Sequence, residues 1–363
     1  MSDRTPGSVT GVLEVLQKGG GFLRDPGTSF APARTDVFVP QKLIQKHHLS
    51  TGALVVGASK KGPKGPVLAG IDTVCGVSPE EFARREPLKQ LTALNPDKRF
   101  DLGRSGDTTM RIIDLVAPIA RGTRGLIVSP PKSGKTTILE GLANAIAVDA
   151  PETRIVVLLI DERPEEVTHF RRATKAEVLA SSSDQSVADH VRLAQLAMSQ
   201  CVREVECHHD VVVLVDSITR MGRAFNQSGK GSGRTMSGGL DSRALEIPRK
   251  FFGMARNVEN GGSITILATA LVETGSRMDD IIYQEFKGTG NTEIVLSRQL
   301  FEKRIFPAVD IAKSGTRKEE KLYPPEQVEK LYLMRRALSS LQPESAMELL
   351  LQKVREFPTN ADF

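Results

Sequence analysis

Residues 125–136 read GLIVSPPKSGKT, an apolar run followed by a loop that ends in Gly134-Lys135-Thr136. The ending matches the phosphate-binding Walker A loop, G-x-x-x-x-G-K-[ST], although Ser129 stands where that pattern opens with glycine. Gly134 is the glycine beside the phosphates, whereas Ser129 is a small residue at the more remote turn. A match of this length is weak alone, so the neighbouring segments decide whether it marks a nucleotide site.

Further apolar runs rich in β-branched residues have the length of buried strands. They are residues 155–160 (IVVLLI), 211–215 (VVVLV) and 263–270 (SITILATA). Helical spacing of apolar residues occurs at 137–147, after the loop, and at 189–205. Strands that are buried on both faces and linked by helices are typical of a parallel sheet. The pattern therefore predicts an α/β parallel-sheet domain.

Acidic residues follow two of these strands. In an open parallel sheet, ligands bind beyond the carboxyl ends of the strands. Asp216 is placed there to order Mg²⁺, and Glu162 to polarise an attacking water. Each acid alone is more often a satisfied strand-end cap, but fitting residues at three strand ends favour an ATP site. In that site Lys135 would reach the β- and γ-phosphates, and the Thr136 hydroxyl would bind Mg²⁺.

The composition describes a globular chain. Its 363 residues, 39% hydrophobic and 26% charged, suggest about two domains of roughly 150 residues each. No apolar run reaches the ~18 residues of a membrane span, and the N-terminus lacks the apolar region of a signal peptide. We therefore expect a cytoplasmic protein with no membrane partner. The net charge of +5 is compatible with a nucleic-acid partner but does not establish one.

The three cysteines are too few for a disulfide framework. Cys207-His208-His209 invites a metal interpretation, with Cys201 nearby, but the spacing fits no common zinc pattern. We therefore expect no structural metal there.

The residues before the sheet divide into a barrel and a connection. Residues 9–77 carry short apolar runs separated by glycine-rich turns and a basic turn at 60–65, which is typical of a small OB-type barrel. Residues 78–103 are polar and proline-punctuated, as in a linker. We therefore predict a disordered N-terminus over 1–8, a barrel, a linker, and an ATPase domain over 104–363.

Two glycine-containing basic segments lie beyond the strands. They are 226–239 (NQSGKGSGRTMSGG) and 274–278 (TGSRM). Each is either an ordinary solvated loop or a cationic loop that contacts a phosphate backbone. Likewise Arg304 and Arg317 can be surface ion-pair residues or can stabilise charge on a phosphoryl group in a neighbouring subunit.

From about residue 9 to the C-terminus, the chain resembles the bacterial transcription termination factor Rho family. The resemblance rests on long matches: PPKSGKT (130–136), LLIDERPEEVT (158–168), LVDSITR (214–220), FFGMARNVENGGSITILATALVETGS (251–276), EFKGTGN (285–291) and KRIFPAVDIAKSGTRKEE (303–320). It implies a RecA-like ATPase domain and a barrel of the OB or cold-shock type. It also implies an RNA-dependent ATPase and helicase that threads single-stranded RNA through a homohexameric ring and acts on the RNA polymerase elongation complex. Members of this family also lack the first Walker glycine.

The resemblance also implies roles for individual residues. The implied ATP contacts are Pro131, Lys132, Ser133, Gly134, Lys135, Thr136, Thr137, Arg163, Asp216 and Phe306, with Mg²⁺ on Thr136 and Asp216. The implied catalytic residues are Lys135, Glu162, Arg163 as a γ-phosphate sensor, and Arg317 as a finger acting on the neighbouring subunit. Phe306 would pack on adenine. The implied RNA contacts are Phe22, Arg24, Asp36 and Phe38 in the barrel, and Lys230, Arg234, Thr235, Gly275, Ser276 and Arg277 in pore loops.

The chain departs from the family pattern mainly in its RNA contacts. Arg234 and Arg277 stand where the family usually has lysine, and Gly20 replaces an aromatic residue. The stretch GPVLAG (65–70) has no aromatic residue, and the helical subdomain that precedes the barrel in the family is not recognised. Since stacking contributes ~1–3 kcal/mol per base, losing one ring would weaken RNA loading about tenfold or more. Phe22 can alternatively be a core residue.

We therefore expect an intact motor with a reduced or altered RNA-loading barrel. Two other interpretations stay open. One is an ATP- and RNA-binding regulator of another Rho protein without productive translocation. The other, disfavoured by the glycine-rich basic loops, is a rotary-ATPase-like subunit.

Overall fold

The computed structural model describes residues 7–229, 239–241 and 243–362. Five strands at the N-terminus form a closed barrel in the order β1-β2-β3-β5-β4. They are β1 (Ser8–Val15), β2 (Gly21–Arg24), β3 (Val37–Val39), β4 (Leu54–Gly62) and β5 (Gly65–Val74), with helix α1 (Gln41–Lys46) before β4. Alternate residues of these strands, such as Leu13, Leu23 and Val55, fill the barrel. The predicted OB-type barrel is confirmed.

Two boundaries in the barrel differ from the prediction. Ser8 pairs with Ala58 in β1, so it belongs to the barrel and not to a disordered N-terminus; residues 1–6 lie outside the described residues. The predicted basic turn at 60–65 is mostly strand, since Lys60 pairs with Val67 and Lys61 with Pro66. Cross-strand hydrogen bonding continues through this run, and the chain turns only between Gly62 and Gly65.

The segment predicted as a linker is packed against its surroundings. It contains α2 (Pro79–Arg84), which begins with a capping box, and the short strand β6 (Ala93–Leu94). Phe82, Leu88 and Phe100 are buried. Because Phe82 packs in the barrel core whereas Leu88 and Phe100 pack in the cores of the second domain, the segment holds the barrel against that domain.

The second domain is built on a mainly parallel sheet in the order β14-β13-β7-β12-β10-β8-β9. Its strands are β7 (Arg124–Ser129), β8 (Arg154–Glu162), β9 (Glu177–Ser182), β10 (Asp210–Asp216), β11 (Arg256–Val258), β12 (Ser263–Leu271), β13 (Thr292–Val295) and β14 (Gly315–Thr316). The short strand β11 pairs antiparallel with β12 and β6, and β14 pairs antiparallel with β13. The predicted parallel sheet is confirmed, and each predicted strand lies inside an observed one.

Helices cover both faces of this sheet. They are α3 (Thr108–Val116), α4 (Lys135–Asp149), α5 (Pro164–Ala173), α6 (Val187–Glu206), α7 (Ile218–Ser228), α8 (Glu246–Gly253), α9 (Arg277–Lys287), α10 (Arg298–Glu302), α11 (Pro325–Ser339) and α12 (Pro343–Glu356). Along β8, Val157 and Leu159 join the core under α4, whereas Val156 and Leu158 join the core under α6. This alternation buries the strand on both faces. Among the described helices, none has the length and apolar content needed to cross a membrane.

The barrel rests directly on helix α6. Gly52 has φ +93°, and a side chain added there would begin only 2.2 Å from the backbone carbon of Ser199. Nearby, Arg192 Nε donates to Glu14 Oε1 of β1 at 2.9 Å. A glycine is needed at position 52 because the barrel and the helix meet backbone to backbone.

Candidate nucleotide site and nucleic-acid surfaces

The phosphate loop lies between the end of β7 and the start of α4. Ser133 Oγ donates to the Pro130 carbonyl at 2.7 Å and lies 2.9 Å from Ser129 Oγ. Gly134 has φ +89°, a conformation that a residue with a side chain rarely adopts. Ser129, which replaces the first Walker glycine, therefore braces the loop from within, and Gly134 supplies its tight turn. Of the other predicted contacts, Pro131, Lys132 and Thr137 are exposed and Thr136 is half-buried.

Lys135 joins the two carboxylates predicted for this site. Its Nζ donates to Asp216 Oδ1 at 2.8 Å and to Glu162 Oε2 at 3.4 Å. Asp216 is 1% exposed and also accepts a hydrogen bond from Thr269 Oγ1 at 2.8 Å. The structure thus brings the ends of β8, β10 and β12 to the phosphate loop. The Lys135 ammonium group therefore lies between two buried carboxylates. Phosphate groups and Mg²⁺ would bind at the same place.

Glu162 is held in a mixed environment. Burial raises its pKa, and the neighbouring Asp216 raises it further, whereas Lys135 and Arg220 act in the opposite direction; the net pKa lies above the usual range. Arg220 Nε lies 3.4 Å from Glu162 Oε2, and its Nη1 donates to the Asp161 carbonyl at 2.5 Å. Such a carboxylate accepts a proton more readily than an ordinary glutamate, which suits a general base.

Arg163 and Phe306 border the site. Arg163 is exposed at the N-terminal end of α5, directly after Glu162. Phe306 is 47% exposed and meets Phe301 edge to face with ring centroids 5.5 Å apart. Phe301 in turn lies 3.8 Å from where a side chain on Gly134 would start. A cavity of about 640 Å³, lined by Phe306 and by residues of α12, lies beside this ring and has room for a nucleobase.

Arg317 lies at the opposite edge of the sheet. It follows β14, whose Thr316 pairs with Thr292 of β13, and Thr292 pairs with Gly125 at the start of β7. The phosphate loop follows the other end of β7, about 20 Å away for six residues at ~3.3 Å each. A side chain cannot span that distance, so Arg317 does not reach the nucleotide loop of its own chain.

The structure brings the four predicted RNA contacts of the barrel together. The rings of Phe22 and Phe38 meet edge to face at 5.5 Å, and the Arg24 guanidinium lies 5.1 Å from the Phe22 centroid. Arg24 also pairs with Asp36 at 2.5 Å and with Glu14 at 2.6 Å. Phe22 and Phe38 are only half-buried and lie outside the barrel core, so they remain open to stacking. The alternative of a core role for Phe22 does not fit this position.

Gly20 lies directly against this aromatic pair. It has φ +74°, and a side chain added there would begin 2.7 Å from Phe38 Cζ. Replacing Gly20 with an aromatic residue would therefore not restore the family pattern, because Phe38 occupies the space that a side chain at position 20 would need.

We expect Phe22→Ala to weaken binding of a labelled cytidine oligonucleotide by about 5- to 150-fold, which corresponds to ~1–3 kcal/mol of stacking. We expect Gly20→Phe to give no gain, since the new ring displaces Phe38. Fluorescence anisotropy measures both, with thermal unfolding as a control for barrel stability. Tighter RNA binding by Gly20→Phe would contradict this account of the Gly20 contact.

The second predicted pore segment is more ordered than predicted. Arg277 opens helix α9, and Asp279 in its first turn is fully buried. Asp279 accepts from Arg223 Nε at 2.8 Å and from Thr274 Oγ1 at 2.6 Å. Gly275 and Arg277 are exposed, and Ser276 is half-buried. The predicted loop is wrong from Arg277 onward, because buried ion pairing with α7 anchors the start of the helix. Lys230, Arg234 and Thr235 of the first pore segment lie outside the described residues.

The structure adds residues that the sequence did not single out. Arg220 reaches Glu162, Thr269 reaches Asp216, and Phe301 links the loop to Phe306. Thr269 lies near the end of β12, so the strand-end rule that selected Asp216 also applies to it. Arg220 lies in α7, and no sequence pattern indicates that it reaches the end of β8.

Comparison with known proteins gives two family matches and a set of relatives that align with nearly the whole chain. Residues 9–80 match the Rho termination factor RNA-binding domain, and residues 109–316 match the nucleotide-binding domain of the ATP synthase alpha/beta family. The Transcription termination factor Rho of Aquifex aeolicus is 48% identical, over 98% of this chain and 83% of its own. That of Cereibacter sphaeroides is 46% identical, over 97% of this chain and 85% of its own.

Solved structures share the fold at low sequence identity. A type III secretion system ATPase superimposes with a TM-score of 0.62 at 23% identity, covering 81% of this chain and 93% of that chain. An ATP synthase subunit of Nanoarcheaum equitans gives 0.59 at 18% identity, over 77% of this chain and 68% of its own. These structures support the same nucleotide-binding fold.

Proposed function

This chain belongs to the Rho family of transcription termination factors, and we propose that it hydrolyses ATP to move a homohexameric ring along single-stranded RNA. The observation that carries the proposal is the contact of Lys135 with both Glu162 and Asp216 at the phosphate loop. When nucleotide binds, the ammonium group of Lys135 can move from the two buried carboxylates to the phosphate oxygens. Because the substrate is nascent RNA, the RNA polymerase elongation complex is the proposed partner and the cytoplasm the proposed location.

In this mechanism, ATP would be held by the loop from Pro131 to Thr137, with adenine against Phe306. Thr136 and Asp216 would hold Mg²⁺, whose chemistry when bound is to neutralise charge on the phosphate oxygens. As Lys135 moves from the carboxylates to the β- and γ-phosphates, Glu162 loses a neighbouring positive charge. Loss of that charge would act to raise the pKa of Glu162, which would favour transfer of the proton of the attacking water to it. Arg163, beside Glu162, would sense the γ-phosphate.

Helix α7 provides a route from the nucleotide to RNA. It begins at Ile218, two residues after Asp216, and ends at Ser228, so the first three residues of the segment predicted as a loop over 226–239 are helical. Midway along it, Arg223 holds Asp279 and therefore the start of α9, where Gly275, Ser276 and Arg277 lie. A shift of Asp216 on ATP turnover would therefore move both proposed pore segments, because packed helices transmit displacement as units.

We expect Asp279→Asn to lower RNA-stimulated ATPase activity about tenfold and to leave the RNA-independent rate within about twofold, because removing the carboxylate charge weakens the buried pair with Arg223. Steady-state ATPase assays with and without RNA measure both rates. Asp280→Asn is the matched control, since Asp280 is the exposed neighbour in the same helical turn. Equal losses in both rates would indicate a folding defect and would contradict the coupling role.

The proposed function is tested by the steady-state ATPase rate with no RNA, poly(C), poly(U) and mixed-sequence RNA, at low and moderate salt. Strong stimulation is expected, and the ranking of the polymers shows whether cytosine is preferred despite Gly20. If ATP binds but no RNA stimulates turnover, the alternative of an ATP- and RNA-binding regulator replaces the motor. The contact between Gly20 and Phe38 is the observation that keeps this alternative open.

A further inference from the structure

Two of the three free cysteines meet where the barrel joins the ATPase domain. Cys75 follows the last barrel strand, β5, and Cys207 follows the end of helix α6. Both are buried in the apolar cluster that fills the barrel, and their thiol groups are hydrogen-bonded to each other. Since the two residues are far apart in the sequence, only the folded chain brings these thiols together.

A tight turn holds Cys75 in this place. Val74 and Val77 exchange backbone hydrogen bonds at 2.9 and 3.1 Å, and the two residues between them, Cys75 and Gly76, have φ of +48° and +77°. Such values are uncommon for a residue with a side chain, although a two-residue turn of this kind requires them. A side chain added to Gly76 would begin 3.5 Å from the His209 ring. The turn therefore lies directly against the segment that follows α6.

The two thiols differ in acidity. The Cys75 thiol donates its hydrogen bond to Cys207, and this bond holds the pKa of Cys207 below its usual range. The positive charges of His209 and Arg85 act in the same direction, whereas burial opposes them. The same hydrogen bond and burial raise the pKa of Cys75. Cys207 is therefore the thiol that more readily becomes a thiolate, which is the form that reacts with oxidants.

Cys207 is also the thiol that a small oxidant can reach. Although only 6% exposed, it lines a cavity of about 640 Å³ between the segment after α2 and the end of α6. The lining of this cavity includes the exposed residues Glu86 and Gln90, so the cavity opens to solvent. By contrast, Cys201 lies in a core of the ATPase domain, where burial raises its pKa to about 12. Cys75 lies behind Cys207 and is 1% exposed.

We propose that Cys207 and Cys75 are a redox-active pair that a peroxide converts into a disulfide between the barrel and the ATPase domain. The Cys207 sulfur attacks one oxygen of hydrogen peroxide, the O–O bond breaks, one water leaves, and Cys207 becomes a sulfenic acid. The Cys75 sulfur then attacks the Cys207 sulfur, the S–O bond breaks, and a second water leaves. Two thiols thus give two electrons and two protons to one peroxide. Neither step involves ATP or RNA, so this site is independent of the proposed function.

The disulfide would add a covalent link to the contacts that already hold the barrel on α6. It would close a long loop of the chain, which restricts the unfolded state and stabilises the folded one. A thiol reductant would reverse it, because exchange with an added thiol breaks the same bond. The pair is therefore suited to reversible oxidation.

Treatment of the full chain with hydrogen peroxide tests the proposal. Free thiols are labelled with iodoacetamide after the peroxide is removed, and peptides are mapped by mass spectrometry without reduction. We expect the number of free thiols to fall from three to one and a peptide pair to appear that is joined through Cys75 and Cys207. Dithiothreitol should restore all three thiols. The melting temperature of the oxidised protein should rise by a few degrees.

Single substitutions separate the roles of the cysteines. In Cys75→Ser we expect no disulfide, and a sulfenic acid at Cys207 that dimedone traps. Cys75→Ala repeats this measurement if serine disturbs the apolar cluster. Cys201→Ser is the matched control and should form the disulfide as the unaltered chain does. Equal oxidation of all three cysteines, a disulfide that joins two chains, or thiols that resist peroxide until the protein unfolds would overturn the proposal.

Discussion

Glu162→Gln is expected to lower ATP turnover by about 100- to 10,000-fold while ATP remains bound. The amide is nearly isosteric with the carboxyl group, so the end of β8 keeps its shape, but it cannot take a proton from water. Lys135 and Asp216 are unchanged in this variant, and their 2.8 Å contact is available to respond to phosphate as before. The loss should therefore appear in kcat with little change in nucleotide affinity.

Single-turnover hydrolysis and binding of a fluorescent ATP analogue separate these two quantities. Glu165→Gln is the matched control, because Glu165 is an exposed glutamate in the first turn of α5. Turnover of the Glu162→Gln protein close to the wild-type rate would remove Glu162 as the base. Loss of nucleotide binding would show instead that the buried carboxylate mainly supports the loop.

Arg317→Ala is expected to lower RNA-stimulated turnover by about 1,000- to 100,000-fold, the range for an arginine that stabilises charge on a transferring phosphoryl group. The reason is positional. Arg317 lies level with the start of β7 and the phosphate loop follows its end, so any action of Arg317 on nucleotide would be on that of another subunit. Arg336→Ala, on the exposed surface of α11, is the control for simple loss of charge.

Subunit mixing distinguishes action between subunits from a structural role. Arg317→Ala subunits keep Lys135, and Lys135→Ala subunits keep Arg317, so a mixed ring contains some contacts with both groups intact. We expect those mixtures to regain measurable activity that neither protein has alone. A mixture as inactive as its components, with rings still formed on size-exclusion chromatography, would argue that Arg317 does not act across the subunit contact.

The parts of the structure that follow from local chemistry could be predicted from the sequence. Apolar runs such as IVVLLI at 155–160 predict the buried strands. Gly134 and Lys135 predict the phosphate loop. The acids Glu162 and Asp216 follow from the rule that ligands bind at strand ends. In the structure the Lys135 side chain contacts both of these acids.

The remaining features depend on contacts between distant segments. Nothing near Gly20 in the sequence indicates that Phe38 fills the space in front of it. Arg220 reaches Glu162 from a different element, since Arg220 lies in α7 and Glu162 is the last residue of β8. The segment 78–103 reads as a linker because its polar residues outnumber its apolar ones, yet Phe82 and Phe100 are buried. Composition averages over a segment, whereas packing depends on single side chains.

The backbone contact between Gly52 and Ser199 has a mechanical consequence. With no side chain between them, the barrel and α6 are in direct backbone contact, and the pair of Glu14 and Arg192 adds a second contact that opposes their rotation. In the proposed ring, each barrel would then keep a fixed position on its own ATPase domain and a constant distance from the central channel. A pulling force on RNA in the channel would therefore stretch or relax the RNA between the barrel and the pore segments. The barrel and the ATPase domain would not move relative to each other.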